Sequence, residues 1–119
     1  MIDTVGTFNM SRAAYSALAR PQLASTTPAV ILNVTASLHR PATPMQIHAS
    51  AAKAGVDSIT RTLALEWGSV GIRVVGVSPG PIAATEGMSK LGGPDPNAVL
   101  QQVPLGRAGT TEDVARAGL

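Results

Sequence analysis

Two short runs, VILNVTAS at 30–37 and IRVVGVSPG at 72–80, constrain this chain more than any other feature. Each is rich in β-branched residues and nearly free of alternating polar positions, the pattern of a strand apolar on both faces. Between them, over about 46–67, Ala52, Val56, Ile59 and Leu63 recur at steps of four, three and four, which is one face of a helix. Strands separated by so long a helix pair in parallel, through a right-handed crossover. The fold class is therefore α/β, with a doubly wound parallel sheet. Two such strands are half a sheet, so the 119 residues read as a fragment of a larger domain.

The flanks fit that order. Residues 3–19 read as a helix, with Val5, Phe8, Met10, Ala14, Tyr15 and Leu18 as its apolar stripe. RPQLASTTPA breaks it with two prolines, and HRPATP is a loop that contains His39. Lys53, Asp57 and Arg61 stand four residues apart on the long helix and are placed to pair with one another. Gly68 and Gly71 surround its stop. LGGPDP is a turn, a short helix follows over 95–102, and GTTEDVARAGL starts a last helix with Thr110 or Thr111 as cap.

Composition narrows the function. Apolar residues make up 45% and charged residues 13%, too few charges for a disordered chain. The net charge is +2, with Lys and Arg scattered, so no clustered nucleic-acid patch is expected. There is no cysteine, which excludes disulfides and thiolate catalysis, and no His/Asp/Glu cluster has metal-ligand spacing. No apolar run approaches the roughly 20 residues of a membrane span.

Five motifs, in order, then line up with one family. DTVGTF resembles the helix start N-x-x-G-x-F of the short-chain dehydrogenase/reductases. VILNVTAS resembles their central strand. ASAAKAGVDSITRTLALEWGSVGIRV resembles the Tyr-x-x-x-Lys helix and the strand after it. SPGPIAATEG resembles the P-G-P-I turn, and GRAGTTEDVA the late acidic helix. The resemblance implies a partial Rossmann-like domain that lacks the N-terminal βαβ nucleotide-binding half. No G-x-G-x-x-G occurs in the chain. Three departures stand out. The family's amide residue in the first helix is Asp3, its serine is Ala36, and its tyrosine is Ala49. The same replacements resemble the 2,4-dienoyl-CoA reductases, above all the peroxisomal type.

That resemblance implies NADPH as cofactor, an acyl-CoA as substrate, a homo-oligomer in the full-length family and a peroxisomal compartment. The cytoplasm is the alternative, since the final AGL is not a convincing peroxisomal address. It implies catalysis by Asp3 and Lys53. Lys53 would hold the nicotinamide ribose, and Asp3 would orient a water that delivers a proton. Pro79, Gly80, Pro81, Ile82, Ala83, Ala84 and Thr85 would line the cofactor. Lys90 would face the CoA phosphates, and His48 would lie near the thioester. Each residue has a plainer reading. Lys53 is also placed to pair with Asp57, and Asp3 suits a helix start. The segment 79–85 is also a proline-rich turn, Lys90 an ordinary surface lysine, and His48 a packing residue. Ser37 and Ser50 stand one position from the lost groups, which points their side chains elsewhere. Two other functions stay open: a carbonyl or 3-oxoacyl reductase, and a non-catalytic fragment acting through oligomer or partner contacts.

Overall fold

The computed structural model describes residues 2–40, 42–91 and 95–119. They form two units, 1–77 and 78–119. The first begins with helix α1 (Ile2–Leu18) and a 3-10 turn at Pro21–Leu23. It continues with strand β1 (Ala29–Val34), helix α2 (Ile47–Trp67), a second 3-10 turn at Gly68–Val70 and strand β2 (Ile72–Val77). The strands pair in parallel, in register from Ala29 opposite Ile72 to Val34 opposite Val77. The helix–strand–helix–strand order and the parallel pairing are as the patterning predicts.

One face of this sheet carries the core. Leu63 of α2 is buried against Ile72 and Val74, with Leu18, Ile31, Ile59, Trp67 and Val70 packed around them. The expected face of α2 is the one that faces inward: Ala52, Val56 and Leu63 are buried. The other face of the sheet departs from expectation. Val30, Leu32 and Val34 remain 52%, 42% and 52% exposed, so β1 is buried on one side only. The continuous apolar run reported the chemistry of both faces, while the described residues cover one of them.

α1 differs from its expected stripe for a related reason. Val5, Phe8 and Met10 point outward, and Ser11 is the buried residue. The less exposed positions are Thr4, Thr7, Ser11, Ala14 and Leu18, at steps of three and four. Small side chains on this seam allow close approach to α2. The Thr4 hydroxyl donates to the Ala52 carbonyl at 3.0 Å, and Gly55 presents only backbone to Thr4. At the far end, the Tyr15 and Trp67 rings meet at 5.0 Å with a 58° tilt. α2 ends at Gly68, and the turn closes at Gly71, whose φ of 81° lies in the left-handed region. A Cβ there would collide with the Arg20 carbonyl, so glycine is required by space as well as by backbone angle.

The second unit holds α3 (Glu86–Leu91), α4 (Pro96–Leu100) and α5 (Thr111–Ala117). α3 was not anticipated. The LGGPDP turn falls partly outside the described residues, but Asp95 caps α4 by accepting from Asn97 N–H at 2.9 Å. Thr110, rather than Thr111, caps α5. Its hydroxyl accepts from Asp113 N–H at 3.1 Å, and Asp113 accepts from Thr110 N–H at 2.9 Å.

Candidate functional site

The carboxyl end of β1 and the first turns of α1 and α2 bring Asp3 and Lys53 together. Lys53 Nζ donates to the Val34 carbonyl at 3.3 Å and lies 3.7 Å from Asp3 Oδ2. The lysine side chain is 22% exposed and the aspartate 46%, so both meet solvent. The helix turn that carries the lysine is fixed from two directions. Thr4 of α1 bonds the Ala52 carbonyl, and the Thr35 hydroxyl lies 3.3 Å from the Lys53 carbonyl. Ala36 and Ala49, both partly buried, bring no polar side chain to this end of the sheet.

The expected pairing of Lys53, Asp57 and Arg61 does not form. Lys53 is beside Asp3, and Asp57 is taken by the loop after β1. His39 Nε2 lies 2.8 Å from Asp57 Oδ2, and Arg40 reaches the same oxygen at 3.3 Å. Burial raises the Asp57 pKa. Hydrogen bonds from Thr35 and His39, and the positive charges of His39 and Arg40, lower it by more, so the carboxyl lies below its ordinary range. His39, read from sequence as a loop residue, is thus part of a polar cluster beneath Lys53. No local signal reveals it, because its partner is 18 positions away. Thr4 and Thr35 were also missed, since a threonine that fixes a neighbouring helix looks like any other.

His48 stands exposed in the first turn of α2 and makes no hydrogen bond or ion pair with the described residues. Within the second unit, the 79–85 segment is held by residue 109. Gly109 N–H donates to the Pro81 carbonyl and Ala83 N–H to the Gly109 carbonyl, both at 2.9 Å. Ala84 adopts a φ of 56°, unusual for a residue with a side chain. The Thr85 hydroxyl donates to the Ile82 carbonyl at 2.9 Å and accepts from Met88 N–H at 3.2 Å, which caps α3. Lys90 is 70% exposed and 3.4 Å from Glu86 one turn earlier, the arrangement of a surface lysine. Among the described residues no group of His, Asp and Glu is placed to hold a metal ion. No helix there is long and apolar enough to cross a membrane.

The donor set at Lys53 fits the ribose end of a nicotinamide nucleotide. An ammonium carries three N–H donors, and a strand-end carbonyl already orients one of them. Vicinal hydroxyls can accept from the others. The location also fits, because ligands of parallel sheets bind outside the carboxyl ends of the strands.

Comparison with known proteins identifies the family to which this parallel α/β core belongs. The family model described as enoyl-(acyl carrier protein) reductase matches residues 1–119. The chain belongs to the short-chain dehydrogenase/reductase family. Among its relatives, the peroxisomal 2,4-dienoyl-CoA reductase [(3E)-enoyl-CoA-producing] of Rattus norvegicus is 43% identical over 99% of this chain and 39% of its own length. The Arabidopsis thaliana protein of the same name is 48% identical over 99% of the chain and 41% of its own length. A probable 2,4-dienoyl-CoA reductase [(2E)-enoyl-CoA-producing] of Bacillus subtilis is 45% identical over 92% of this chain and 43% of its own. The chain thus spans about two fifths of the length of these relatives. A short-chain dehydrogenase structure from Bacillus anthracis is 39% identical with a TM-score of 0.78, over 98% of this chain and 44% of that one.

Proposed function

We propose that this chain carries the proton-delivering part of an NADPH-dependent 2,4-dienoyl-CoA reductase that forms a 3-enoyl-CoA. The observation that carries the reading is the Asp3–Lys53 pair at 3.7 Å, with alanine at both 36 and 49. A carbonyl reductase must place a proton on oxygen, and a tyrosine is suited to that acid role. Reduction of a conjugated dienoyl thioester instead ends with a proton on carbon. It needs a positioned water and stabilisation of the enolate oxygen.

NADPH, when bound, supplies the hydride to the far end of the diene. Lys53, oriented by the Val34 carbonyl, holds the ribose hydroxyls and places positive charge where the enolate develops. Asp3, paired with the Lys53 ammonium at 3.7 Å, accepts from a water and so aims that water at the carbon next to the thioester. Pro79 to Thr85 form a stiff edge for the nicotinamide, and Lys90 and His48 are left for the CoA portion. The names of the relatives support the substrate class, and two of the three name a (3E)-enoyl product. They also support a peroxisomal location. A homo-oligomer follows from the family resemblance alone. With no G-x-G-x-x-G in its sequence, the 119-residue chain by itself binds NADPH weakly and turns over poorly.

The test is NADPH oxidation with a 2,4-dienoyl-CoA and with a ketone, using the reading frame that contains this chain. The position of the product double bond is then read by NMR. Reduction of the dienoyl-CoA to a 3-enoyl product is expected. Normal ketone reduction without dienoyl-CoA turnover would refute the proposal.

A further inference from the structure

The His39–Asp57 contact joins the loop after β1 to α2, one turn beyond Lys53. Both side chains are 15% exposed, and Nε2 faces the carboxylate at 2.8 Å. Arg40 approaches the same oxygen from the solvent side at 3.3 Å. Within the loop, Arg40 N–H donates to the Ser37 carbonyl at 2.9 Å, the Thr43 hydroxyl donates to the Leu38 carbonyl at 3.1 Å, and His39 and Ala42 form a bridge. The bonds to Asp57 attach the middle of the loop to α2.

The proton in this contact can be assigned. An ionised carboxylate offers only acceptors, so the hydrogen lies on Nε2. In the neutral ring Nδ1 is then a bare acceptor. Nδ1 is the atom that is buried with no partner among the described residues. The opposite neutral tautomer would leave Nε2 lone pair against carboxylate oxygen and bury an unanswered N–H at Nδ1, which is unfavourable twice over.

We infer that His39 is a positioning residue, locked as the Nε2–H tautomer, that fixes the β1–α2 loop on Asp57 as the wall of the crevice beside Lys53. The part about the crevice rests on the proposed function of Lys53. The coupling runs through named groups. Asp57 lies one turn from Lys53 on α2, and the Thr35 hydroxyl at the start of the loop donates to the Lys53 carbonyl. Releasing the loop therefore loosens the wall and one of the two clamps on the lysine's turn.

The experiment has two arms that need no turnover. Nitrogen NMR of the unmodified chain, labelled in histidine, should show a pyrrole-like Nε2 and a pyridine-like Nδ1 at His39. A neutral Nδ1–H ring would overturn the inference, and this measurement does not depend on any variant folding. Amide exchange across residues 37–46 is then compared in His39→Leu, His39→Asn and His39→Gln. A glutamine amide nitrogen reaches the place of Nε2, whereas an asparagine nitrogen reaches only that of Nδ1. Leu and Asn should speed exchange about tenfold or more, the scale of a hydrogen bond to a charged group, and Gln should restore protection. Equal exchange in Leu and Gln would overturn the inference. In the dienoyl-CoA assay on the reading frame that contains this chain, His39→Leu should raise KM for the acyl-CoA more than it lowers kcat, with Gln restoring it. An unchanged KM in His39→Leu would overturn the crevice-wall role. Absence of turnover in the unmodified protein would refute the proposed activity alone, with the tautomer and exchange arms still deciding this inference.

Discussion

A methyl group added at Gly55 would sit 2.6 Å from Thr4 Cγ2 and 2.8 Å from Thr4 Oγ1, with Thr4 Cβ at 3.3 Å. Threonine on a helix has few χ1 choices, so Thr4 cannot swing clear at no cost. Either α1 moves off α2 or Thr4 leaves its bond to the Ala52 carbonyl. Overpacking of this kind costs about 1–3 kcal/mol. The lost hydrogen bond costs about 0.5–1.5 kcal/mol. Alanine in place of glycine within a helix returns about 1 kcal/mol. The net loss is about 2 kcal/mol, which at a urea slope of about 2 kcal/mol/M lowers the unfolding midpoint by about 1 M. Gly6 is the control, because a Cβ there meets nothing within 4 Å. Gly6→Ala should stabilise by about 0.5–1 kcal/mol. The double variant Thr4→Ala/Gly55→Ala removes both close atoms and should be less destabilised than the sum of its single changes. If Gly55→Ala raises the midpoint as Gly6→Ala does, the α1–α2 seam is not closely packed, and Thr4 does not fix the turn that carries Lys53.

Four further outcomes follow from individual contacts. Gly71→Ala combines a left-handed φ with a collision against the Arg20 carbonyl, and should destabilise by about 2–5 kcal/mol in urea unfolding. Lys53→Met should lower kcat/KM for a dienoyl-CoA about a hundredfold or more, while leaving the circular dichroism of the chain unchanged. Asp57 has a folded pKa below the ordinary carboxylate value, so its contribution to stability is present above that ordinary value and lost as pH falls through the folded pKa. His39→Leu removes a hydrogen bond that holds the Asp57 carboxylate, so acid unfolding should begin at higher pH. Asp113 is held well below the usual carboxylate range, first by its bond from Arg107 and then by Thr110. Arg107→Gln should bring its carbon-13 carboxyl titration back up toward that range.

The elements legible in the sequence were those whose signal is local. β1, α2 and β2 announce themselves through continuous or periodic apolar runs, and the start of α5 through Thr110 and Thr111 ahead of two acidic residues. α1 was legible as a helix but not in its facing. Its large apolar side chains point outward, while threonine, serine and alanine line the seam, because close helix approach selects small volume rather than hydrophobicity. The exposed side of β1 has the same lesson: an apolar residue states what would favour burial, not that a partner is present. At the site, Asp3 and Lys53 were named through resemblance, and the structure shows that they meet. His39 and Asp57 were not paired in advance, since only the path of the loop brings positions 18 apart into contact.

The spacing of the Asp3–Lys53 pair bears on which proton donor the site can use. At 3.7 Å the two charges attract, yet the separation is beyond an ordinary N–H···O hydrogen bond. Contacts of this length between exposed polar groups suit a bridging water. A tyrosine at 49 would present its own hydroxyl acid at this end of the sheet, and a serine at 36 a second donor. Alanine at both positions leaves the lysine–carboxylate pair as the polar partners available there for a water. Such a water donates toward the substrate while its other contacts stay fixed, and it reaches a carbon centre without the directional lock of a phenol on an alkoxide. The two alanines and the aspartate are therefore not three separate losses. In the proposed reaction they would together exchange a fixed side-chain acid for a held solvent molecule, a proton source suited to protonation on carbon.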